Sequence, residues 1–196
     1  MRKAKIIRKT RETDITIELN LDSVKKPGIS TTIPFFDHML TLMAFHSGFY
    51  VNIRAKGDTD IDDHHLIEDI GIALGTALKQ ALGDKKCIVR YANFLMPMDE
   101  SLSYVAVDIS NRPYLDYKIK FKPNYKCDRF DFDLIEDFFR ALINSAGITL
   151  HIELKHGRNN HHIAESVFKG FGKALSQAVS AGKTKSRGVP STKGKL

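Results

Sequence analysis

DDHHLIEDIGIALGTAL, residues 62–78, returns in altered form as NNHHIAESVFKGFGKAL, residues 159–175. Each stretch opens on adjacent histidines, His64–His65 and His161–His162, with a glutamate three residues past the second, Glu68 and Glu165. The chain has 8 histidines in 196 residues, so these two pairs hold half of them. The apolar residues that follow recur with a helical period. On a helix, residues three and four apart share a face, so each glutamate can reach the same cation as a histidine before it. Adjacent histidines instead diverge by about 100° around the axis. One cation does not readily take both rings of a pair, and the pattern therefore predicts two cations, each taking one imidazole. Imidazole with carboxylate suits Mn, Fe, Zn, Ni or Co rather than Ca or Mg. The blander reading, histidines that merely decorate two helix starts, is weakened because the same trailing glutamate occurs twice.

The repetition extends beyond these cassettes. At an offset of 97, Glu68 falls on Glu165, Ala77 on Ala174 and Leu78 on Leu175. Upstream the offset becomes 99: FYVNI (49–53) falls on ITLHI (148–152) and Gly48 on Gly147. His38, in FFDHML, then falls on Asp137, in LIEDFF. Each unit reads helix, strand, loop, helix, and a period this long indicates two paired half-domains rather than a solenoid. If His38 is a third ligand in one half, Asp137 holds that place in the other, as a harder and anionic donor.

The remaining segments supply strands. AKIIRKT and DITIELNLD alternate, with Ile15, Ile17, Leu19 and Leu21 on one face. KPGIS reads as a turn, CIVRYANFLMPMDESLSYVAVDIS as two strands around Pro97, and PYLDYKIKF as another strand. Gly71 and Gly75, inside a helical pattern, suggest close helix packing. The predicted fold is α+β: two duplicated half-domains, each a mostly antiparallel sheet with a pair of helices packed on one face. The predicted boundaries are 1–87, 88–182 and a basic tail, 183–196. The length suffices to bury a core without disulfide or metal. Cys87 and Cys127 read as ordinary buried or partly buried thiols suited to a reducing cytosol, and neither a membrane span nor a secretory signal is expected.

The net charge is +7, and the tail KTKSRGVPSTKGKL contains no acid. A disordered tail, a nucleic-acid arm and a segment that orders over a phosphate are the three readings. Arg90 and Arg112, beside probable strands, favour a small phosphorylated substrate.

FFDHML (35–40), DIDDHHLIEDIGIALG (60–75), PMDESL (97–102), NRPYLDY (111–117), NSAGITLHI (144–152), NNHHIAESVFKGFGKAL (159–175) and PSTKG (190–194) occur in order along the chain. Together they resemble the imidazoleglycerol-phosphate dehydratase family, in its monofunctional form, over roughly residues 2–195. The resemblance implies a cytoplasmic hydro-lyase of histidine biosynthesis that converts imidazoleglycerol phosphate to imidazole-acetol phosphate. It implies two manganese ions per active site, placed between subunits of a homo-oligomeric shell of twenty-four, and neither nucleic acid nor membrane as partner. The ligand positions match His38, His64, His65, Glu68, His161, His162 and Glu165. The eighth matches Asp137, where many members carry histidine. Phosphate-binding positions match Arg90, Arg112, Lys169, Ser191 and Lys193, and acidic positions near the glycerol chain match Glu12 and Asp99. The implied chemistry stabilises an imidazolate in the substrate, with Glu12 as the first candidate for removing the carbon proton and a ligand glutamate, Glu68 or Glu165, as the second. A dinuclear hydrolase using metal-bound hydroxide is the alternative enzyme, and a metal-storage or nucleic-acid-binding protein the non-enzymatic one.

Overall fold

Alternation decides the first strands. In the computed structural model, which describes residues 2–23, 25–123, 130–182 and 188–196, β1 (Lys3–Lys9) and β2 (Thr13–Asn20) pair antiparallel. Ile15, Ile17, Leu19 and Leu21 are all buried. The first half continues with β3 (Gly28–Ser30), α1 (Pro34–Ser47), β4 (Tyr50–Gly57) and α2 (His64–Leu82). The second repeats the order with β5 (Tyr91–Met98), β6 (Ser101–Asp108), β7 (Tyr114–Lys118), α3 (Leu134–Ala146), β8 (Thr149–His156) and α4 (Asn160–Val179).

The two sheets have the same topology, β1-β2-β4-β3 and β5-β6-β8-β7. Three strands of each are antiparallel, and the fourth, β3 or β7, runs parallel to its neighbour. The fold is therefore α+β in two equivalent halves, each a four-stranded sheet carrying two helices. Both α1 and α3 end on a left-handed glycine, Gly48 at φ 70° and Gly147 at φ 69°, so the chain turns into the next strand at the same point of each repeat.

Three readings of the sequence need correction. KPGIS is not only a turn, because Gly28–Ser30 forms a short edge strand on β4; three residues are too few to show a period. Pro97 does not separate two strands but lies inside β5, opposite Leu102. It is tolerated there because β5 is an edge strand, where a missing N–H donor costs no ladder bond. Cys87 is exposed rather than buried, in a left-handed turn (φ 58°) after α2. Cys127 lies outside the described residues. Among the described residues no helix is long and apolar enough to cross a membrane.

The helices pair across the halves: α2 packs on α3, and α1 on α4. Met43, Leu74, Leu142 and Phe171, one from each helix, meet Leu19 and Val51 of the first sheet around a single internal point. Small residues allow the crossing. A Cβ on Gly71 would lie 2.7 Å from the Phe138 carbonyl oxygen, and one on Gly75 would strike that of Leu142. Gly75→Ala is expected to cost about 1–3 kcal/mol, the usual penalty of overpacking, read as a lower denaturation midpoint. An unchanged midpoint would refute this backbone contact.

Asp69 fixes the roll of α2. It is buried and takes Thr13 Oγ1 at 2.5 Å and Arg8 at 2.7 Å. With Asp69 turned to the sheet, Glu68 faces outward.

Candidate metal centre

Two helix starts place the first cluster. The Asn159 side chain accepts from the His161 amide at 2.9 Å, which caps α4 and sets His161 in its first turn. Glu165 follows one turn later on the same face. Pro34 opens α1, and Asp37 accepts the Thr31 amide and hydroxyl at 2.7 and 2.6 Å, anchoring the turn that carries His38. His38 Nε2 then lies 2.9 Å and His161 Nε2 3.0 Å from Glu165 Oε1. Phe35 meets the His161 ring edge-on, with centroids 5.3 Å apart.

Donor atoms of His38, His161 and Glu165 all fall within 4.8 Å of one another. Two ligands each about 2.1 Å from one ion stand about 3 Å apart at a right angle, so this set fits a cation of the imidazole-and-carboxylate class. Burial would raise the Glu165 carboxyl, but hydrogen bonds from Lys169, His38 and His161 outweigh it and hold it at about 2. The carboxylate is thus charged and ready to ligate at neutral pH. Lys169 bonds Glu165 Oε2 at 2.5 Å and the Met98 sulfur at 3.2 Å.

The equivalent positions of the other repeat come together only in part, and among the described residues His38, His161 and Glu165 are the one set with three donors at ligand spacing. His64 Nδ1 lies 3.9 Å from Asp137 Oδ2, and Glu68 is exposed one turn beyond His64. Each cluster draws its third member from the other half: His38 of α1 joins α4, and Asp137 of α3 joins α2. That is the pairing the helices themselves adopt.

The second histidine of each pair turns away. The rings of His161 and His162 are 6.2 Å apart at 83°, and those of His64 and His65 6.3 Å apart at 74°. His162 Nδ1 is 2.8 Å from Glu100 Oε2, and its Nε2 is 4.0 Å from Asp99. His65 Nδ1 is 3.0 Å from Asp58 and 4.0 Å from Glu12. The hydrogen bond from His162 leads, with the Asn159 amide behind it, in lowering the Glu100 carboxyl to about 2. The bond to Asp58 raises the His65 ring above its usual value.

The candidate phosphate residues gather elsewhere. Arg90 is buried, gives Nε and one terminal nitrogen to Asp108 at 2.8 and 3.3 Å, and gives the other to the Pro190 carbonyl at 2.8 Å. Arg112 is 67% exposed and 3.8 Å from the same Asp108. Ser191 and Lys193 follow Pro190, with the Lys193 amide 3.2 Å from Ser191 Oγ. The Arg90 amide bonds Ala178 near the end of α4. At about 1.5 Å of rise per residue, α4 runs about 26 Å from His161 to Ala178. Among the candidates only Lys169 lies beside the His38 cluster. Residues 183–187 of the tail lie outside the described residues.

Asp58, Glu100 and Asp108 are prominent here but do not stand out in the sequence. One signal did exist for Glu100: it precedes β6 as Glu12 precedes β2. That equivalence rests on strands whose residues differ too much to align by eye. His151 bonds Asp116 at 3.3 Å and His156 the Glu100 carbonyl at 3.1 Å, and neither joins a cluster.

A family model described as imidazoleglycerol-phosphate dehydratase matches residues 31–175. A protein of that name from Endomicrobium trichonymphae is 62% identical over all of this chain and 98% of its own length. One from Syntrophus aciditrophicus (strain SB) is 52% identical over all of this chain and 99% of its own. The crystal structure of imidazoleglycerol-phosphate dehydratase from Staphylococcus aureus superposes with a TM-score of 0.83 at 42% identity, covering 91% of this chain and 99% of that one. The Pyrococcus furiosus structure, in complex with (S)-C348, gives 0.84 at 41%, covering 97% and 100%.

Proposed function

The chain belongs to the imidazoleglycerol-phosphate dehydratase family and is a hydro-lyase of histidine biosynthesis, and we propose that it works with two manganese ions per active site, in the cytoplasm, as a homo-oligomer whose sites lie between subunits. The observation that carries this reading is the His38–His161–Glu165 cluster, gathered from both halves with Nε2 and carboxylate oxygen at ligand spacing. His64 and Asp137, 3.9 Å apart, with Glu68 one turn beyond His64, hold the corresponding places in the repeat, with an anionic donor in place of His38. Held by these residues, cations would supply the positive charge that favours an imidazolate form of the substrate's ring.

The chain's own residues supply the rest. Glu165 is held by Lys169, His38 and His161, whereas Glu12 is exposed beside His65. Glu12 is therefore the better placed to take the carbon proton, with Asp99 beside His162 as the second acid near the glycerol chain. Arg112, Lys193, the Ser191 hydroxyl and Arg90 receive the phosphate. Lys169 completes that set from the cluster side.

The length of α4 supports a shared site. Arg90 and Arg112 stand at the far end of that helix from His161, so one copy's arginines cannot serve its own cluster. A second copy brings them there, and a closed shell of twenty-four subunits satisfies the requirement.

Chelation tests the reading. Metal-free protein is expected to lose turnover and to shrink in light scattering, and manganese to restore both. Dehydration at full rate without any divalent ion would refute it. Turnover of simple phosphate esters but not of imidazoleglycerol phosphate would favour the dinuclear hydrolase instead.

A further inference from the structure

We propose that Asp58 and Glu100 are positioning residues, each clamping Nδ1 of the second histidine in a cassette so that the ring offers Nε2 to a cation held chiefly by another copy of the chain. The proposal rests on the metal reading above.

The same contact occurs in both halves. His162 Nδ1 is 2.8 Å from Glu100, and His65 Nδ1 is 3.0 Å from Asp58. A neutral imidazole carries one N–H; when Nδ1 donates it to a carboxylate, the lone pair sits on Nε2, the nitrogen free to ligate. His38 and His161 likewise direct Nε2 at Glu165. The clamps therefore give the outward-turned rings the nitrogen that the inward-turned rings already use.

The two carboxylates do not occupy equivalent positions. Glu100 stands in the turn between β5 and β6, where the first half has Glu12. Asp58 follows β4, where the offset of 99 gives Gly157 in the second half. A contact passed on only with the fold would use matching residues. Here the halves reach one arrangement from different places, which points to a requirement on the ring itself.

The difference also frees a group. In the second half Glu100 is fully engaged: Oε2 takes His162, and Oε1 takes the Asn159 and Arg158 amides at 2.8 and 3.2 Å. In the first half Asp58 takes the clamp, leaving Glu12 4.0 Å from the ring and available to substrate. The other oxygen of Asp58, Oδ1, is buried with no hydrogen-bond partner among the described residues. A residue kept only for surface solvation would not hold an oxygen that way.

The test is a manganese titration of chelated, full-length protein by calorimetry, with size followed by light scattering. Wild type, Asp58→Asn and Glu100→Gln are compared. Asp58→Asn isolates the clamp, because among the described residues the Asp58 side chain bonds only His65. Each variant is expected to bind manganese about 10–100-fold more weakly, to need correspondingly more of it to assemble, and to recover turnover as manganese is raised. Recovery by excess metal, with the metal-free variant melting at the wild-type temperature, is what a merely structural defect would not give. If wild type binds manganese and Asp58→Asn binds it equally well, the clamp is refuted while the metal reading stands. If wild type binds none, the metal reading itself fails.

Discussion

His65→Ala and His162→Ala are each expected to give small oligomers with negligible turnover, a loss on the order of a thousandfold or more, because one substitution removes both a cation ligand and a bond between copies. The expectation follows from direction. His161 joins its own chain's cluster, whereas the ring of His162 stands at 83° to it and is held by Glu100 outside that cluster. His65 has the same relation to His64. On the proposed reading, a ring so turned would serve a cation that its own chain does not enclose. Size by light scattering and turnover, measured at saturating manganese, check the result. Full-size, active particles from either variant would contradict sites shared in this way.

A mixed assembly provides the second large effect. His161→Ala and Arg112→Ala should each be nearly inactive alone. Co-expressed with different tags and purified as mixed particles, they should regain up to about a quarter of wild-type activity, because a site built from two copies is intact when the cluster comes from one variant and the arginine from the other. The prediction depends on the length of α4, which holds the His161 end and the Arg90–Asp108–Arg112 group about 26 Å apart in one chain. If each chain completed its own site, mixing would restore nothing.

Much of this was legible in the sequence, and for definite reasons. The doubled cassette exposed the repeat, and the repeat named Asp137 as the counterpart of His38 before any geometry. Gly48 and Gly147 were matched by the repeat, and the face of β2 was marked by its alternation. What escaped were groups that act singly. Asp58, Glu100 and Asp108 have no period and no neighbour of their own kind; only the folded topology brings each to its histidine or arginine. The strand Gly28–Ser30 was hidden because Pro27 followed by Gly28 looks like a turn, and only pairing with β4 makes these three residues a strand. The pairing of helices across the halves was likewise invisible, although Gly71 and Gly75 had signalled that some helix approached closely.

That crossing has an ancestral corollary. If a gene encoding one repeat ever existed alone, its product would have left a broad greasy helical surface facing water, since α2 finds its mate in α3 and α1 in α4. Such a half-length forerunner would have needed to embrace its twin to be stable at all. Fusing the two would have made a voluntary partnership permanent, and only then could one copy trade a histidine for an aspartate without its sibling following.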